Sequence, residues 1–322
     1  MGYNREDYVR IKAEYTNKYL KARQQADNRR FEIYAKLPEV KAIDALLAGT
    51  GKEIMAIITA GKGETEEKIA ALKARNDKLL QNRAQILVSG GFPENYSDIR
   101  YECEACADSG YVDGKMCVCM KKALILAGYE SSGLGGLIRT QSFDNFSLEY
   151  YNVGGGNPEM MQMLVKSLKI FAQSFDGDTY KNYLFMGGTG LGKTHLSTSI
   201  AKEVIDRGYD VLYVTALGML GDFESKRFGN GEGARSTERY YNADLLIIDD
   251  LGTEVVNQFT ISCLYDVINT RINNRKCTII NTNLNRKDIE SKYSERITSR
   301  LFGEYYPIPF AGVDIRKQKV MK

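Results

Sequence analysis

Hydrophobic positions follow two different periodicities along the chain. Before about residue 90, apolar residues recur three or four positions apart within charge-rich stretches, which predicts amphipathic helices over 4–36, over 40–47 and from Glu64 or Thr65 onwards. After about residue 180, short apolar runs alternate with helical stretches, which is typical of strands buried on both faces. The predicted strands are 183–186, 211–214, 245–248 and 276–280. This alternation predicts an α/β domain with a parallel sheet flanked by helices.

Glycine-rich stretches separate these regions. The run 49–51 is predicted to end the second helix, 61–63 to precede the third, 89–93 to end the helical region, and 229–233 to form an exposed loop. The apolar faces of the first helices are expected to form a core first and a partner surface second. The predicted division is a helical domain over 1–95, a cysteine-containing segment over 96–125, a linker with the start of the next domain over 126–179, and the α/β domain over 180–322.

The segment between the first predicted strand and the next helix matches the pattern G-x-x-x-x-G-K-[ST]. In such a loop, glycines let backbone N–H groups surround an anion at the positive end of a helix. The lysine reaches the β- and γ-phosphates, and the hydroxyl ligates Mg²⁺. The sequence therefore predicts a site for a nucleoside triphosphate, formed by Gly187, Gly188, Thr189, Gly190, Leu191, Gly192, Lys193 and Thr194.

Two carboxylates, Asp249 and Asp250, end the strand predicted over 245–248. In a parallel sheet, ligands bind at the carboxyl ends of the strands, so both acids are expected beside the phosphate loop. Asp249 is the candidate that holds Mg²⁺ through its hydration shell. Asp250 is the candidate that orients or deprotonates the attacking water.

Further polar candidates lie beyond the fourth predicted strand. Asn281 and Asn283 are two positions apart, on one side of the chain, and either amide can hydrogen-bond to a γ-phosphate or to water. The residues alone leave this choice open. Arg296 and Arg300 can stabilise charge on a transferring phosphoryl group from a neighbouring subunit, or they are solvated surface arginines. His195, the only histidine, is expected to have a structural role.

Composition and charge exclude several classes of protein. The 322 residues are 43% hydrophobic and 26% charged, which is ordinary for a globular protein, and a net charge of +3 gives no polycation argument for nucleic acid. No apolar run reaches the length of a membrane span, and the first residues lack the apolar core of a secretory signal. With a nucleotide site, these features predict a cytoplasmic protein with no membrane partner. In that reducing compartment, Cys263 and Cys277 are expected to be buried thiols.

The other four cysteines, Cys103, Cys106, Cys117 and Cys119, form two close pairs across a turn-rich loop. Four thiolates in a short segment can bind Zn²⁺ tetrahedrally, and a small module with few apolar residues needs such a cross-link. An iron–sulfur cluster and a redox pair are the alternatives. The sequence predicts a structural zinc site, because four protein ligands leave no open coordination position.

Four segments, taken in order, resemble the AAA+ ATPase domain of bacterial replicative-helicase loaders of the DnaC/DnaI type. They are the phosphate loop continuing through His195, the run 248–252, the pair 282–283 and the segment 295–300. The resemblance covers roughly residues 140–318, and the related IstB transposition ATPases share much of it. It implies a P-loop AAA+ fold, ATP and Mg²⁺ as ligands, and hydrolysis of ATP to ADP and phosphate as a regulatory switch. DnaI-type loaders also have a helical N-terminal region with a zinc site, which the cysteine cluster resembles, although its second pair is C-x-C.

The resemblance also implies roles for single residues. Lys193 and Thr194 match the Walker A residues, and Asp249 matches the Walker B magnesium acid. Asp250 stands where many AAA+ proteins have glutamate. The remaining matches are Asn283 with sensor 1, Arg300 with the arginine finger (Arg296 is the alternative), Arg316 with sensor 2, and 140–146 with a segment near the adenine.

These expectations combine into a helicase loader that acts in the initiation or restart of DNA replication. Its domain 1–95 would bind the hexameric replicative helicase, while the ATPase domain would self-assemble and bind single-stranded DNA. Lys226 and Arg227 beside Phe223 and Phe228 are candidate DNA contacts, although a solvated helix explains them equally well. The alternatives are an IstB-like ATPase that assists a transposase and a metabolic P-loop kinase. The cysteine segment favours the loader.

Overall fold

The computed structural model describes residues 3–60, 65–228 and 237–320 of the chain. The loop predicted at 229–233 and the break predicted at 61–63 lie outside these residues. Contacts divide the chain into a smaller unit, Lys12–Cys117, and a larger unit, Met1–Ile11 with Val118–Lys322. Within the described ranges, no helix has both the length and the hydropathy of a membrane span.

The smaller unit is helical and ends in a two-stranded hairpin. Buried Ile33, Val40, Leu87 and Phe92 form a small core where its helices meet. The predicted division at residues 95, 125 and 179 remains a prediction. The elements are α1 (Arg5–Lys36), of which residues 5–11 belong to the larger unit, α2 (Pro38–Ala60), α3 (Thr65–Ser89), β1 (Tyr111–Val112) and β2 (Lys115–Met116).

Helix α2 is longer than predicted. The glycine run 49–51 predicts an end there, but the helix continues to Ala60. A glycine costs only about 1 kcal/mol in a helix interior. Helix α3 packs along this stretch: Asn76 Nδ2 donates to Thr50 Oγ1 at 3.1 Å, and Arg75 pairs with Glu53 at 2.9 Å. The predicted end is wrong because contacts with the neighbouring helix outweigh the local preference of two glycines.

The larger unit alternates strands with helices. Two short 3₁₀ helices, Phe143–Asn145 and Glu149–Tyr151, precede its sheet. The elements are α4 (Val118–Ser131), α5 (Leu137–Thr140), α6 (Pro158–Ser174), β3 (Tyr183–Met186), α7 (Lys193–Asp206), β4 (Val211–Thr215), α8 (Ala216–Phe228), α9 (Glu238–Asn242), β5 (Leu245–Leu251), α10 (Gln258–Asn273), β6 (Cys277–Thr282), α11 (Arg286–Lys292), α12 (Glu295–Gly303), β7 (Tyr306–Pro309) and α13 (Ile315–Val320).

The sheet has the strand order β4–β5–β6–β3–β7, and every pairing is parallel. Successive strand residues enter cores on opposite faces: Phe185 packs in one and Leu184 in the other. All four predicted strands are present, and the predicted fold, a parallel sheet flanked by helices, is confirmed. Strand β7 was missed because Pro307 and Pro309 lack a backbone N–H, which only an edge strand tolerates.

A fully buried cation, Arg271, stabilises the sheet at its amino-terminal end. Its Nε donates to Thr278 Oγ1 at 2.9 Å, and its NH1 donates to the carbonyls of Tyr240 and Ala243 at 3.1 and 3.0 Å. Burial lowers the pKa of this guanidinium to about 10, so it stays charged at neutral pH. It thereby ties helix α10 to the segment that leads into β5.

Candidate nucleotide site and cysteine cluster

A cavity of about 320 Å³ opens at the carboxyl ends of the central strands. The phosphate loop follows β3, the aspartate pair lies near the carboxyl end of β5, and Asn283 follows β6, so adjacent strands bring together residues distant in sequence. Predicted residues that line the cavity are Thr189, Gly190, Leu191, Gly192, Lys193, Thr194, Asp250, Asn283 and Arg316. The cavity is also lined by Gln141, Asn145 and Phe146, which lie in the segment 140–146 expected near the adenine. Lining residues that were not predicted as site residues are Ser147, Tyr150, His195, Ile315 and Lys319.

The phosphate loop is held from two sides. Gly190 and Gly192 have φ angles of +76° and +88°, which favour glycine. A Cβ on Gly190 would lie 1.8 Å from Asp314 Oδ1, and one on Gly192 would lie 2.6 Å from the Tyr151 hydroxyl. That hydroxyl donates to Leu191 O at 2.7 Å. The loop conformation therefore depends on two segments that the motif does not contain.

The amine of Lys193 lies inside the curve of the loop. Its Nζ donates to Gly187 O at 2.7 Å, to Gly188 O at 2.8 Å and to Asn283 Oδ1 at 2.8 Å. Burial lowers the pKa of Lys193, and the charges of the two aspartates oppose this effect. Gly187 and Gly188 thus contact the lysine rather than line the cavity. A bound phosphate would exchange these carbonyl partners for phosphate oxygens.

Asp249 lies beneath the cavity, with only 4% of its surface exposed. Thr194 Oγ1 donates to its Oδ2 at 3.0 Å, and the Tyr213 hydroxyl donates to the same oxygen. Asn281 Nδ2 and the backbone N–H of Asp250 donate to Oδ1, at 2.9 and 3.0 Å. A hydroxyl and a carboxylate side by side are the oxygen donors that Mg²⁺ prefers, so these residues fit that ion.

The two candidate asparagines separate in space. Asn283 lines the cavity and contacts Lys193, whereas Asn281 is buried and contacts Asp249 and Ser197. The sequence left the choice open because alternate strand residues share one side. In the structure, β6 ends at Thr282, and only the residue beyond the strand reaches the cavity.

Asp250 adopts a φ of +52°, in the left-handed region that aspartate visits more readily than most residues. Its carboxyl group lines the cavity. Partial burial raises the pKa of Asp250, the charge of Asp249 raises it further, and Lys193 and Arg316 oppose the shift. The group is therefore more basic than an ordinary aspartate, as a proton acceptor requires.

The opposite wall of the cavity comes from the segment before α6. His195 Nε2 lies 2.9 Å from both Ser142 O and Asn145 Oδ1, and its ring meets Phe146 edge-on at 5.2 Å. Burial lowers the pKa of His195, which favours the neutral ring. The single histidine therefore holds this wall against the first turn of α7.

Two of the three arginine candidates, Arg316 and Arg300, occupy different places. Arg316 lines the cavity near Asp250 and Lys193, whose pKa values it influences. Arg300 does not line this cavity. Its Nε donates to Asn269 Oδ1 at 2.7 Å, and its guanidinium lies 4.6 Å from the centre of the Tyr265 ring. Of the three candidate arginines, all of them in the described part of the chain, Arg316 is therefore the one that lies where a nucleotide bound in the same chain would meet it.

The four clustered cysteines bring their sulfur atoms within 4.8 Å of one another, with Cys103 Sγ and Cys117 Sγ 3.9 Å apart. A tetrahedral site with Zn–S bonds of about 2.3 Å sets its sulfur atoms about 3.8 Å apart. None of the six cysteines, all within the described ranges, forms a disulfide. Cys103, Cys106, Cys117 and Cys119 therefore fit a zinc ion.

A buried carboxylate shapes the loop that carries the first cysteine pair. Asp108, 2% exposed, accepts hydrogen bonds from the backbone N–H groups of Glu102 and Cys103 at 2.9 and 2.8 Å. The hairpin before the second pair turns at Asp113 and Gly114, whose φ angles of 49° and 73° are typical of a two-residue type I′ turn. Asp108 was missed because the sequence marks it only as a turn residue.

Comparisons with known proteins agree with this geometry. Residues 151–300 match the protein-family model described as IstB-like ATP binding protein. The replicative helicase loader DnaC of Buchnera aphidicola subsp. Acyrthosiphon pisum (strain APS) is 24% identical over 172 residues, which are 53% of this chain and 66% of that protein. The chromosomal replication initiator protein DnaA of Campylobacter fetus subsp. fetus (strain 82-40) is 31% identical over 166 residues, which are 51% of this chain and 36% of that protein.

A crystal structure of the DnaC helicase loader aligns with a TM-score of 0.44 and 22% identity, over 52% of this chain and 98% of that one. The family match includes the phosphate loop, the aspartate pair, Asn283 and Arg300, whereas the cysteine cluster lies outside it. The chain spans just under two thirds of the DnaC relative. Residues 151–300 of this chain are therefore similar to IstB-like ATP-binding proteins, and the predicted resemblance to replicative helicase loaders of the DnaC type is confirmed.

Proposed function

We propose that this chain is an ATP-dependent loader that places the replicative DNA helicase on single-stranded DNA during the initiation or restart of replication. The observation that carries the proposal is one cavity lined by Lys193, Thr194 and Asn283, in a domain similar to proteins named replicative helicase loaders. Such a protein would act in the cytoplasm. Its partners would be the hexameric helicase, single-stranded DNA and further copies of itself.

In the proposed reaction, the backbone of residues 187–194 and the amine of Lys193 bind the phosphates of ATP. Thr194 and Asp249 would hold Mg²⁺, which neutralises charge on the β- and γ-phosphates. Asp250 orients the attacking water and accepts its proton, and Asn283 positions that water against the γ-phosphate. Hydrolysis yields ADP and phosphate and acts as a switch rather than as metabolism.

Two arginines complete the proposed site. Arg316 reaches the phosphates from the same chain, because it already lines the cavity. Arg300 would act from a neighbouring subunit, where a guanidinium stabilises charge on the transferring phosphoryl group. Its half-buried place on Tyr265 and Asn269, away from its own chain's cavity, supports this assignment. ATP would then sit at a subunit interface, and hydrolysis would loosen that interface.

The helices of residues 1–95 are proposed to bind the helicase, and the four cysteines to hold a structural Zn²⁺. Lys226 and Arg227 remain candidate DNA contacts. An IstB-like role beside a transposase is less favoured, since the DnaC and DnaA relatives are named for replication. The full-length chain, used as bait in an extract of its native cell, should recover the hexameric helicase. Loss of that recovery without residues 1–95 would support the proposed division, whereas recovery of a transposase instead would refute the loader.

A further inference from the structure

The carboxylate of Asp249 receives four hydrogen bonds, two at each oxygen. Three donors belong to the expected surroundings of the site: the Thr194 hydroxyl, the Asn281 amide and the backbone N–H of Asp250. The fourth is the hydroxyl of Tyr213, from the neighbouring strand β4. A carboxylate offers about four lone-pair positions, so a metal-bound water would take the place of one of these donors; the Thr194 hydroxyl, which lines the cavity, is the one expected to turn to Mg²⁺.

The backbone of Tyr213 is held as firmly as its hydroxyl. Its N–H donates to Ser132 O at 2.7 Å. A Cβ on Gly133 would lie 2.4 Å from Tyr213 O, so the turn at residues 132–133 follows this residue of the edge strand closely. The ring packs against the buried core on one face of the sheet. The phenol therefore has a fixed position from which to donate.

Tyr213 and Thr194 share Oδ2 of Asp249, but only Thr194 lines the cavity. The tyrosine thus anchors the carboxylate without occupying the space where a hydrated metal would lie. Groups that orient a metal's ligands from behind are known to contribute strongly to metal affinity. A carboxylate with one anchor fewer can rotate away from the hydration shell that it must bind.

We propose that Tyr213 is a positioning residue that sets the magnesium affinity of this site by fixing Asp249. The inference rests on the proposed nucleotide site. It assigns a function to a residue in β4, outside the phosphate loop, the aspartate pair and Asn283. When the Tyr213 hydroxyl is removed, the Mg²⁺ concentration needed for activity should rise, while the affinity for metal-free ATP should change little.

The test compares the full-length wild-type chain with its variant Tyr213→Phe, which lacks only the phenol hydroxyl. ATP hydrolysis is measured over a Mg²⁺ titration, and ATP binding is measured by calorimetry with Mg²⁺ and with EDTA. The Mg²⁺ concentration at half-maximal rate should rise on the order of tenfold. The rate at saturating Mg²⁺ and the affinity in EDTA should change less than about twofold.

The matched control is Tyr240→Phe. Tyr240 is likewise a tyrosine of the larger unit whose hydroxyl donates to a carboxylate, but its acceptor is Asp222, which neither lines the cavity nor hydrogen-bonds to Asp249. Both variants lose a partly buried hydrogen bond to a carboxylate, so both should lower the unfolding temperature, and only Tyr213→Phe should raise the Mg²⁺ requirement. Should Tyr213→Phe not fold, Tyr213→Met removes the same hydroxyl with a smaller, flexible apolar side chain that can adapt to the site.

Three outcomes have distinct meanings. An unchanged Mg²⁺ requirement in Tyr213→Phe would overturn the inference, because the tyrosine would then only stabilise the fold. A lower Mg²⁺ concentration at half-maximal rate in Tyr213→Phe would also overturn it, because the hydroxyl would then compete with metal-bound water for the Asp249 carboxylate. A wild-type chain that binds no ATP with Mg²⁺ would refute the proposed function itself, before the variant is compared.

Discussion

The nucleotide site and the cysteine cluster differ in what holds their residues together. In the nucleotide site, residues from Gln141 to Lys319 meet because parallel strands end side by side, and Lys193 already bonds to Gly187, Gly188 and Asn283. In the cluster, four thiols between residues 103 and 119 converge within 4.8 Å, although nothing attracts thiols to one another. The first site is therefore expected to form without its ligand, whereas the second should depend on its metal.

The buried clusters of the two units also differ in size. Buried clusters cover both faces of the five-stranded sheet, with Leu196 and Ile248 among their fully buried members. In the part of the smaller unit that the structure describes, Ile33, Val40, Leu87 and Phe92 form one small buried cluster, and further buried residues such as Tyr15 and Leu72 are not members of it. A small core supplies little stability, so a metal that cross-links the following loop would be a large part of the local free energy.

The substitution with the largest expected effect should disrupt the nucleotide site and leave the cysteine cluster intact. Lys193→Ala removes the amine that contacts the loop and, in our proposal, the phosphates. ATP hydrolysis should fall below detection and Mg²⁺–ATP binding should weaken by at least about a hundredfold, because a buried charge–phosphate contact is lost. Steady-state hydrolysis and calorimetry measure both quantities. Zinc content should not change, and unaltered turnover would contradict the assignment of the loop.

Arg300→Ala is expected to have the next largest effect, about a thousandfold on the rate of hydrolysis. Nucleotide binding should persist, because Arg300 does not line the cavity of its own chain. Mixing this variant with Lys193→Ala should restore part of the activity, since each would supply what the other lacks. Arg296→Ala, which changes an exposed residue of the same helix, is the control and should remain active. Loss of ATP binding in Arg300→Ala would place the arginine in its own site instead.

Motif spacing and strand periodicity predict much of the nucleotide site, but not the contacts that hold it. Lys193, Asp249 and Asn283 each follow from a local pattern in the sequence. The bond from Tyr151 to Leu191, by contrast, joins residues forty positions apart, and no local signal distinguishes this tyrosine from others in a polar connector. Strand β7 was hidden in the same way, because its prolines argue against a strand unless its place at the sheet edge is known.

Removal of the metal should affect the second site alone. Purified protein should contain about one zinc per chain. Cys106→Ser, which changes a buried ligand, should lose that zinc and unfold the loop, as the unfolding temperature and protease sensitivity of residues 96–125 would report. Cys263→Ser is the control, because this thiol lies in α10, outside the cluster. Iron in place of zinc, or no metal at all, would contradict the assignment.

Asp108→Asn should give the smallest effect. It tests whether the loop that carries Cys103 and Cys106 helps to place these cysteines for the metal. The buried carboxylate orders the approach to Cys103 by accepting two backbone N–H groups, and an amide has one acceptor atom where the carboxylate has two. Zinc affinity should fall on the order of tenfold, measured by competition with a chelator. Asp113→Asn is the matched control, since an asparagine before Gly114 suits the same type I′ turn. Equal zinc affinities in the two variants would mean that the metal alone arranges the cysteines. The cysteine cluster would then depend entirely on its ligand, whereas the nucleotide site is expected to form without one. A selective loss in Asp108→Asn, the expected result, would mean that backbone contacts to this carboxylate assist a cluster that still needs its metal, so that the two sites differ in how much of their geometry exists before the ligand binds.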